Sequence, residues 1–332
     1  MSAAPRIAVY GAGAFGTALG AVLARAGREV TLVGRDPAAI AQINGTRESP
    51  RLPGIRLPDG LTGTTEREAL GEADIAVMGI PTQMLRGALG EIATVLAPAA
   101  RLVLLCKGIE RTSGLLPHEV AAECAPGNAV ALLSGPGFAG EIASGLPTAM
   151  SLGAADAALG DDLAAALSVE NFRLYATTDV TGVAIGGALK NVLAIACGIV
   201  EGRRLGESAR AALIARGLAE LSRFALAHGA EPQTLSGLSG LGDLVLTATS
   251  RQSRNLRFGI ALGEGGADAA TLVRDLPLAE GAWTAPIAAR LARDKGIDAP
   301  LVTAVAALVD GKATVDDIIS GLLARPLKRE AG

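Results

Sequence analysis

Residues 6–34 restrict the fold more than any other stretch. RIAVY (6–10) is a short β-rich run, and GAGAFG (11–16) follows it without a spacer. TALGAVLARAG continues with helical periodicity, Gly27 stops that helix, and EVTLV (29–33) is the next strand. The segment is one βαβ unit, so Gly11, Gly13 and Gly16 form GxGxxG at a strand–turn–helix junction, the setting in which this motif binds a dinucleotide. Gly11 permits the tight turn, Gly13 lets a pyrophosphate approach the backbone, and Gly16 allows the helix to lie close on the strand. The helix N-terminus adds free N–H groups and a positive dipole.

The second strand runs into Gly34-Arg35-Asp36. An acidic residue at the strand end would hold the ribose hydroxyl of NAD, and a nearby arginine suits the extra phosphate of NADP. Asp36 precedes Pro37 and reads more simply as a helix N-cap. Arg35 tilts the choice toward NADP, and both cofactors stay open. Asn44–Gly60 reads as a Gly/Pro-rich loop. Strands follow at 75–80, 101–106, 129–135, 148–152 and 172–176, with a helix at 83–96. This pattern predicts an α/β fold, a Rossmann-type doubly wound, mostly parallel sheet.

In such sheets ligands sit at the carboxyl ends of the strands. Three places stand there: Pro81-Thr82, Lys107-Gly108 and Ser134-Gly135-Pro136-Gly137. Lys107, leaving a very apolar strand, is a candidate anion-binding or proton-relaying cation, against the alternative of an ordinary surface lysine. The glycines of the SGPG turn admit close approach of a ligand, or simply make a tight turn.

The second organising stretch is Val183–Val200, VAIGGALKNVLAIACGIV, apolar but for Lys190 and Asn191. As a helix it sets Gly186, Gly187, Ala194 and Cys197 on the face of Lys190, leaving room for something to approach the amine. A desolvated lysine has its pKa pushed down, which suits proton transfer near neutral pH. A membrane span is a poor alternative because a central lysine is costly there. A core helix with a snorkelling lysine is the stronger competitor.

Composition narrows the partners. The 332 residues are 50% hydrophobic but only 2% aromatic, so cores of Ala, Leu, Val and Ile are expected, built of helices and buried parallel strands. The net charge of −3 and the lack of a basic block argue against nucleic acid and anionic membranes. Cys106, Cys124 and Cys197 have no metal or disulfide spacing, and His118 and His228 read as solvated or helix-end residues. With no signal peptide evident, the expected location is cytoplasmic.

From Asp179 the strand signal ends. An all-helical half is expected over 179–332, after a cofactor-binding half over 1–178. Glycines in 235–259 gather Asp243, Ser253, Arg254 and Asn255 into one region. Arg254 suits a two-toothed grip on phosphate, with Ser253 and Asn255 as neutral donors, against the alternative of a solvated arginine cluster with Arg251 and Arg257.

Taken in order, GAGAFGTALG, CKG, SGPGFAGE, GGALKNVLAI, ARAALIARGLAEL, GLGDL, QSRN and AEG resemble the bacterial NAD(P)-dependent glycerol-3-phosphate dehydrogenases over nearly the whole chain. The resemblance implies interconversion of dihydroxyacetone phosphate and sn-glycerol 3-phosphate for phospholipid synthesis, and a homodimer. It implies that Lys190 is the proton donor and acceptor. Substrate contacts fall on Lys107, Gly135, Gly137, Lys190, Asp243, Ser253, Arg254 and Asn255. Cofactor contacts fall on Gly11, Gly13, Ala14, Phe15, Gly16, Arg35, Lys107, Ala139, Arg254, Leu278 and Glu280. Asp243 is left either to orient Lys190 or to bind a substrate hydroxyl. Departures from the family pattern are Gly137 for Ser or Thr, Ala14 for Ser, Phe15 for Tyr, and Ser208 for Asn. Two other readings remain: a sister lysine-dependent dehydrogenase of small hydroxy or keto acids, and a non-catalytic NAD(P)H sensor.

Overall fold

The computed structural model describes residues 4–266, 268–277 and 279–326. Its strands are β1 (Ile7–Tyr10), β2 (Val30–Val33), β3 (Leu61–Thr64), β4 (Ile75–Met78), β5 (Arg101–Leu104), β6 (Val130–Ser134), β7 (Thr148–Ala154) and β8 (Phe172–Thr177). They form one sheet in the order β3-β2-β1-β4-β5-β6-β7-β8. Every neighbouring pair is parallel except β6 and β7. Their connection contains only the short helix Ala139–Ala143 and turns the chain back instead of crossing over.

The strands alternate between two apolar layers. Ile7, Val9, Val30, Leu32, Ile75 and Val77 pack in one layer with the helix Ala14–Arg25. Ala8, Tyr10, Ala76, Met78, Leu102 and Leu104 pack in the other, which continues into the helical half. Burial on both faces is why these strands read as continuous apolar runs.

β3 is absent from the sequence expectation. LTGT is short and polar, yet Leu61 is fully buried, and the Asn44 side chain bonds both the N–H and the C=O of Gly63, each at 2.8 Å. Asn44 belongs to the helix Pro37–Thr46, whose N-cap is Asp36, so the loop starts later than the glycine count suggests. The helix expected over 83–96 is a single 3₁₀ turn followed by Leu85–Ile92.

The helix Val180–Gly202 is the axis of the helical half, and Asp179 caps it by accepting from the Gly182 N–H. Around it lie Glu207–Leu226, Asp243–Thr249, Arg254–Glu264, Glu280–Asp294 and Pro300–Val309. It is long and apolar enough to cross a membrane, but its apolar window is entirely buried by protein. Against Arg254–Glu264 it packs backbone to backbone. A methyl at Gly198 would lie 2.2 Å from the Leu256 carbonyl oxygen, and one at Gly259 would lie 2.1 Å from that of Ile195. Cys106 and Cys197 are buried, and burial pushes both thiols up to about 12, so they pack and do not react.

Candidate active site

The glycine loop occupies the junction between β1 and β4, where strand order reverses. Gly11 has φ +115°, and a methyl there would meet the Gly79 carbonyl oxygen at 2.5 Å. At Gly16 a methyl would strike the Gly11 carbonyl oxygen, also at 2.5 Å. Gly13 differs: its nearest protein neighbour would be 3.8 Å away, so that side of the loop is open. Ala14 and Phe15 begin the helix Ala14–Arg25, and Gly13, its N-cap, has no side chain to take up the first N–H groups. An open cradle before an uncapped helix N-terminus fits the pyrophosphate of NAD(P). Thr82, opening the 3₁₀ turn that follows the neighbouring β4, adds a buried hydroxyl with no partner among the described residues.

The expected cofactor contacts Ala139, Arg35 and Glu280 lie on other segments of the chain. Ala139 begins a short helix packed on Ala14–Arg25. Arg35 is exposed after β2 and makes no hydrogen bond or ion pair among the described residues. Glu280 starts the helix Glu280–Asp294 and accepts the Thr82 N–H at 3.2 Å. Burial raises the pKa of its carboxyl, opposed by the Thr82 bond and by Arg254, Lys190 and Lys107. Leu278 lies outside the described residues.

Lys107, Lys190 and Asp243 meet although they come from β5's end and from two different helices. Lys190 Nζ is 2.8 Å from Asp243 Oδ1, and Lys107 Nζ is 2.7 Å from Oδ2. Lys190 is only 6% exposed and Asp243 2%, so Lys190 does not snorkel. It donates a further hydrogen bond to Thr247 Oγ1 at 2.7 Å, and Thr247 donates to Asp243 Oδ1 at 3.1 Å. An ammonium has three N–H bonds, so one remains after these two. Lys107 also donates to the Gly135 carbonyl at 3.1 Å and stands 5.9 Å from the centre of the Phe15 ring. The cluster thus joins the SGPG turn to the glycine loop.

Burial lowers the Lys190 pKa to about 8; Asp243 opposes the shift, and the like charge of Lys107 adds to it. Burial pushes the Asp243 carboxyl the other way, but the two ammonium groups outweigh it and hold it below its usual range. Two cations on one anion leave a net positive charge in a buried place, which suits a site that receives an anion or a developing negative oxygen.

The small residues beside Lys190 serve a different end from the one expected. A methyl at Gly186 would lie 2.6 Å from the Ser239 carbonyl oxygen, and one at Gly187 would lie 2.7 Å from Ser134 Oγ. The space is filled by protein. Leu238–Gly242 forms a π turn that packs on Gly186 and delivers Asp243 to the lysine. π turns often mark functional sites in just this way.

Arg254 is exposed in the first turn of Arg254–Glu264, with no hydrogen bond or ion pair among the described residues. Its neighbours are more engaged. Ser253 Oγ accepts the Leu256 N–H as the helix cap, and Asn255 donates to Asn191 Oδ1 at 2.8 Å while accepting the Gly281 N–H at 3.0 Å. Gly135 has φ +152° and would press a methyl into Met150. At Gly137 a methyl would lie 3.0 Å from Ile142 Cδ1 and 3.2 Å from Thr148 Cγ2, a close contact with two side-chain tips that small movements of those side chains relieve.

Two site neighbours were missed in the sequence. Thr247 lies one helical turn after Asp243, a spacing that puts both on one face and could have flagged it. Asn191 follows Lys190 in an otherwise apolar run, and a buried amide there needed partners.

The site can be set against known proteins. A family model described as NAD-dependent glycerol-3-phosphate dehydrogenase N-terminus matches residues 6–160, and its C-terminal counterpart matches 179–320. A Rhizobium etli protein named glycerol-3-phosphate dehydrogenase [NAD(P)+] is 53% identical over 98% of this chain and 99% of its own length. A Methylobacterium radiotolerans protein of the same name is 54% identical over 99% of each. The crystal structure of a Coxiella burnetii glycerol-3-phosphate dehydrogenase superposes with a TM-score of 0.91 at 35% identity, covering 97% of this chain and 99% of that one. Matches to both halves in one order, at such identity and nearly full length, leave a single conclusion: the chain belongs to the NAD(P)-dependent glycerol-3-phosphate dehydrogenases, a family of oxidoreductases.

Proposed function

We propose that this chain interconverts dihydroxyacetone phosphate and sn-glycerol 3-phosphate, with cofactor held by residues 1–178 and substrate gripped mainly by 179–332. The observation that carries the reading is Lys190: buried, pKa lowered to about 8, fixed by Asp243 and Thr247, and with one N–H left over. A bound NAD(P)H supplies the hydride that reaches C2 of the ketone.

The chain's residues do the rest. Lys190 gives its proton to the C2 oxygen as negative charge develops there, and takes it back in the reverse direction. Asp243 orients Lys190 and keeps enough charge nearby for it to remain an ammonium near neutral pH. Lys107 stabilises the same oxygen or the phosphate. Arg254, at the start of its helix, grips the phosphate with help from the Ser253 and Asn255 region, which holds C2 in line. Gly135 and Gly137 line the approach with backbone. A reduced product of this kind feeds glycerophospholipid synthesis, and we place the enzyme in the cytoplasm as a homodimer.

The test is the loss of NADPH absorbance, then of NADH absorbance, when purified protein meets dihydroxyacetone phosphate. Rapid oxidation is expected. Cofactor binding without oxidation by either would sink the assignment and favour a sensor or a sister dehydrogenase.

A further inference from the structure

Arg254 is exposed and has no partner among the described residues, so the turn in front of it decides where its guanidinium can reach. That turn, 250–253, is closed by the Ser253 N–H on the Ser250 carbonyl at 2.9 Å and by the Gln252 N–H on Ser250 Oγ at 3.3 Å. Its two middle residues are held by carboxylates from different halves of the chain. Arg251 Nε and Nη2 reach Glu201 Oε1 at 2.9 and 2.7 Å, near the end of the axial helix Val180–Gly202. Gln252 Nε2 donates to Glu141 Oε1 at 3.1 Å, and Glu141 belongs to Ala139–Ala143, the short helix packed on Ala14–Arg25. Thr82 with Glu280 and Lys107 with Asp243 also join the halves, each with a partner almost fully buried. Gln252 is exposed, and an exposed polar contact adds little to folding. What this one does is tie the start of the proposed phosphate grip to the half that carries the glycine loop.

We propose that Gln252 and Glu141 are a positioning pair, a latch between the two halves that holds the Ser253–Arg254 turn where Arg254 meets the substrate phosphate. The inference rests on the function proposed above and names what aims its phosphate grip. An arginine with no partner of its own has many rotamers open to it, and a fixed base narrows where they reach. Arg251 ties the turn to the helical half through Glu201, so without Gln252 the turn keeps its shape and loses only its register with the glycine-loop half. Arg254 itself remains, and a phosphate once gripped still holds C2 in line. Loss of the latch therefore weakens the grip and spares the chemical step.

The experiment measures steady-state kinetics with dihydroxyacetone phosphate at saturating cofactor, cofactor binding by fluorescence, and thermal melting. Gln252→Ala and Glu141→Ala are each expected to raise the KM for dihydroxyacetone phosphate roughly 3- to 10-fold, the weight of one exposed charge-assisted bond, with kcat changing less than about twofold. Melting and cofactor affinity should hold. The double alanine variant is expected to match the worse single, because both changes break one bond. Glu141→Gln keeps an acceptor oxygen and should stay near the unmodified KM. Gln252→Glu sets two carboxylates together and should do worse than Gln252→Ala. Adding Glu141→Gln to it rebuilds the bond with donor and acceptor exchanged, and should recover most of the loss. An unchanged KM in the alanine variants, effects that multiply in the double, a swapped pair that recovers nothing, or a loss confined to kcat overturns the latch. An unmodified protein that turns over no substrate overturns the function and this inference together, whereas turnover with any of those four results overturns this inference alone.

Discussion

Lys190 Nζ meets Asp243 Oδ1 at 2.8 Å across 53 positions of sequence. The pair is buried and the lysine pKa is lowered to about 8, so the proposed role of Lys190 predicts a pH dependence with opposite signs in the two directions. Ketone reduction needs the ammonium, so its kcat falls as pH rises through about 8. Alcohol oxidation needs the neutral amine, so its kcat rises through the same value. Asp243 holds the lysine pKa up against burial, so Asp243→Asn moves both limbs to lower pH. Lys190→Ala removes the limbs and costs about 10²–10⁴-fold in kcat, with cofactor binding kept. Paired pH–rate profiles check this, and limbs that stay put in Asp243→Asn would refute the assignment.

Gly11 and Gly13 separate strain from ligand contact. Gly11→Ala drives a methyl into the Gly79 carbonyl oxygen at positive φ, so it loses melting temperature and cofactor affinity together. Gly13→Ala meets no protein atom closer than 3.8 Å, so it melts like the unmodified protein and still binds NAD(P)H more weakly. Calorimetric melting and fluorescence titration on the two variants check the contrast.

Arg35 is exposed at the end of β2 with no partner among the described residues, which leaves it free for a 2′-phosphate. Arg35→Ala is expected to raise the KM for NADPH about tenfold, the weight of one charge-assisted contact, and to leave that for NADH unchanged. Equal effects on both cofactors would remove Arg35 from the phosphate's company.

Among the described residues, Glu220 makes no hydrogen bond to the site residues and reports on stability. It accepts the N–H groups of Leu301 and Val302, capping Pro300–Val309 from another helix. Burial raises its pKa from 4.5 to about 7, opposed by those two bonds. Between these values the folded chain holds a proton that the unfolded chain has released, so this group's contribution to stability falls as pH rises through the window. Glu220→Gln does not titrate and should flatten that slope. Urea midpoints taken across the window decide it; an unchanged slope would assign the dependence to other groups.

Local signals carried much of the fold. Gly11, Gly13 and Gly16 specify a turn within six residues, and the apolar runs of β1, β4, β5 and β6 are legible because both sheet faces are covered. β3 was not legible: its stability comes from pairing with β2 and from Asn44, neither of which shows in LTGT. Lys190 and Lys107 stood out as cations in apolar company. One of the two roles open to Asp243, orienting Lys190, was legible, but its simultaneous hold on Lys107 did not show, since that depends on a π turn seated on Gly186. Glycines around Lys190 suggested empty space, and packing filled it. Ser253 and Asn255 were read as donors, and in the fold the same polarity also caps a helix and bridges two others.

The buried axis Val180–Gly202 has a consequence during synthesis. When the ribosome has made the sheet and this helix but not the segments after Gly202, its outer face has no cover, and a nascent chain halted there carries a membrane-like stretch into water. Lys190 places a charge in the middle of that stretch, which disfavours its passage into a bilayer. The residue we propose as the proton donor of the finished enzyme therefore also disfavours the wrong solvent for the unfinished one.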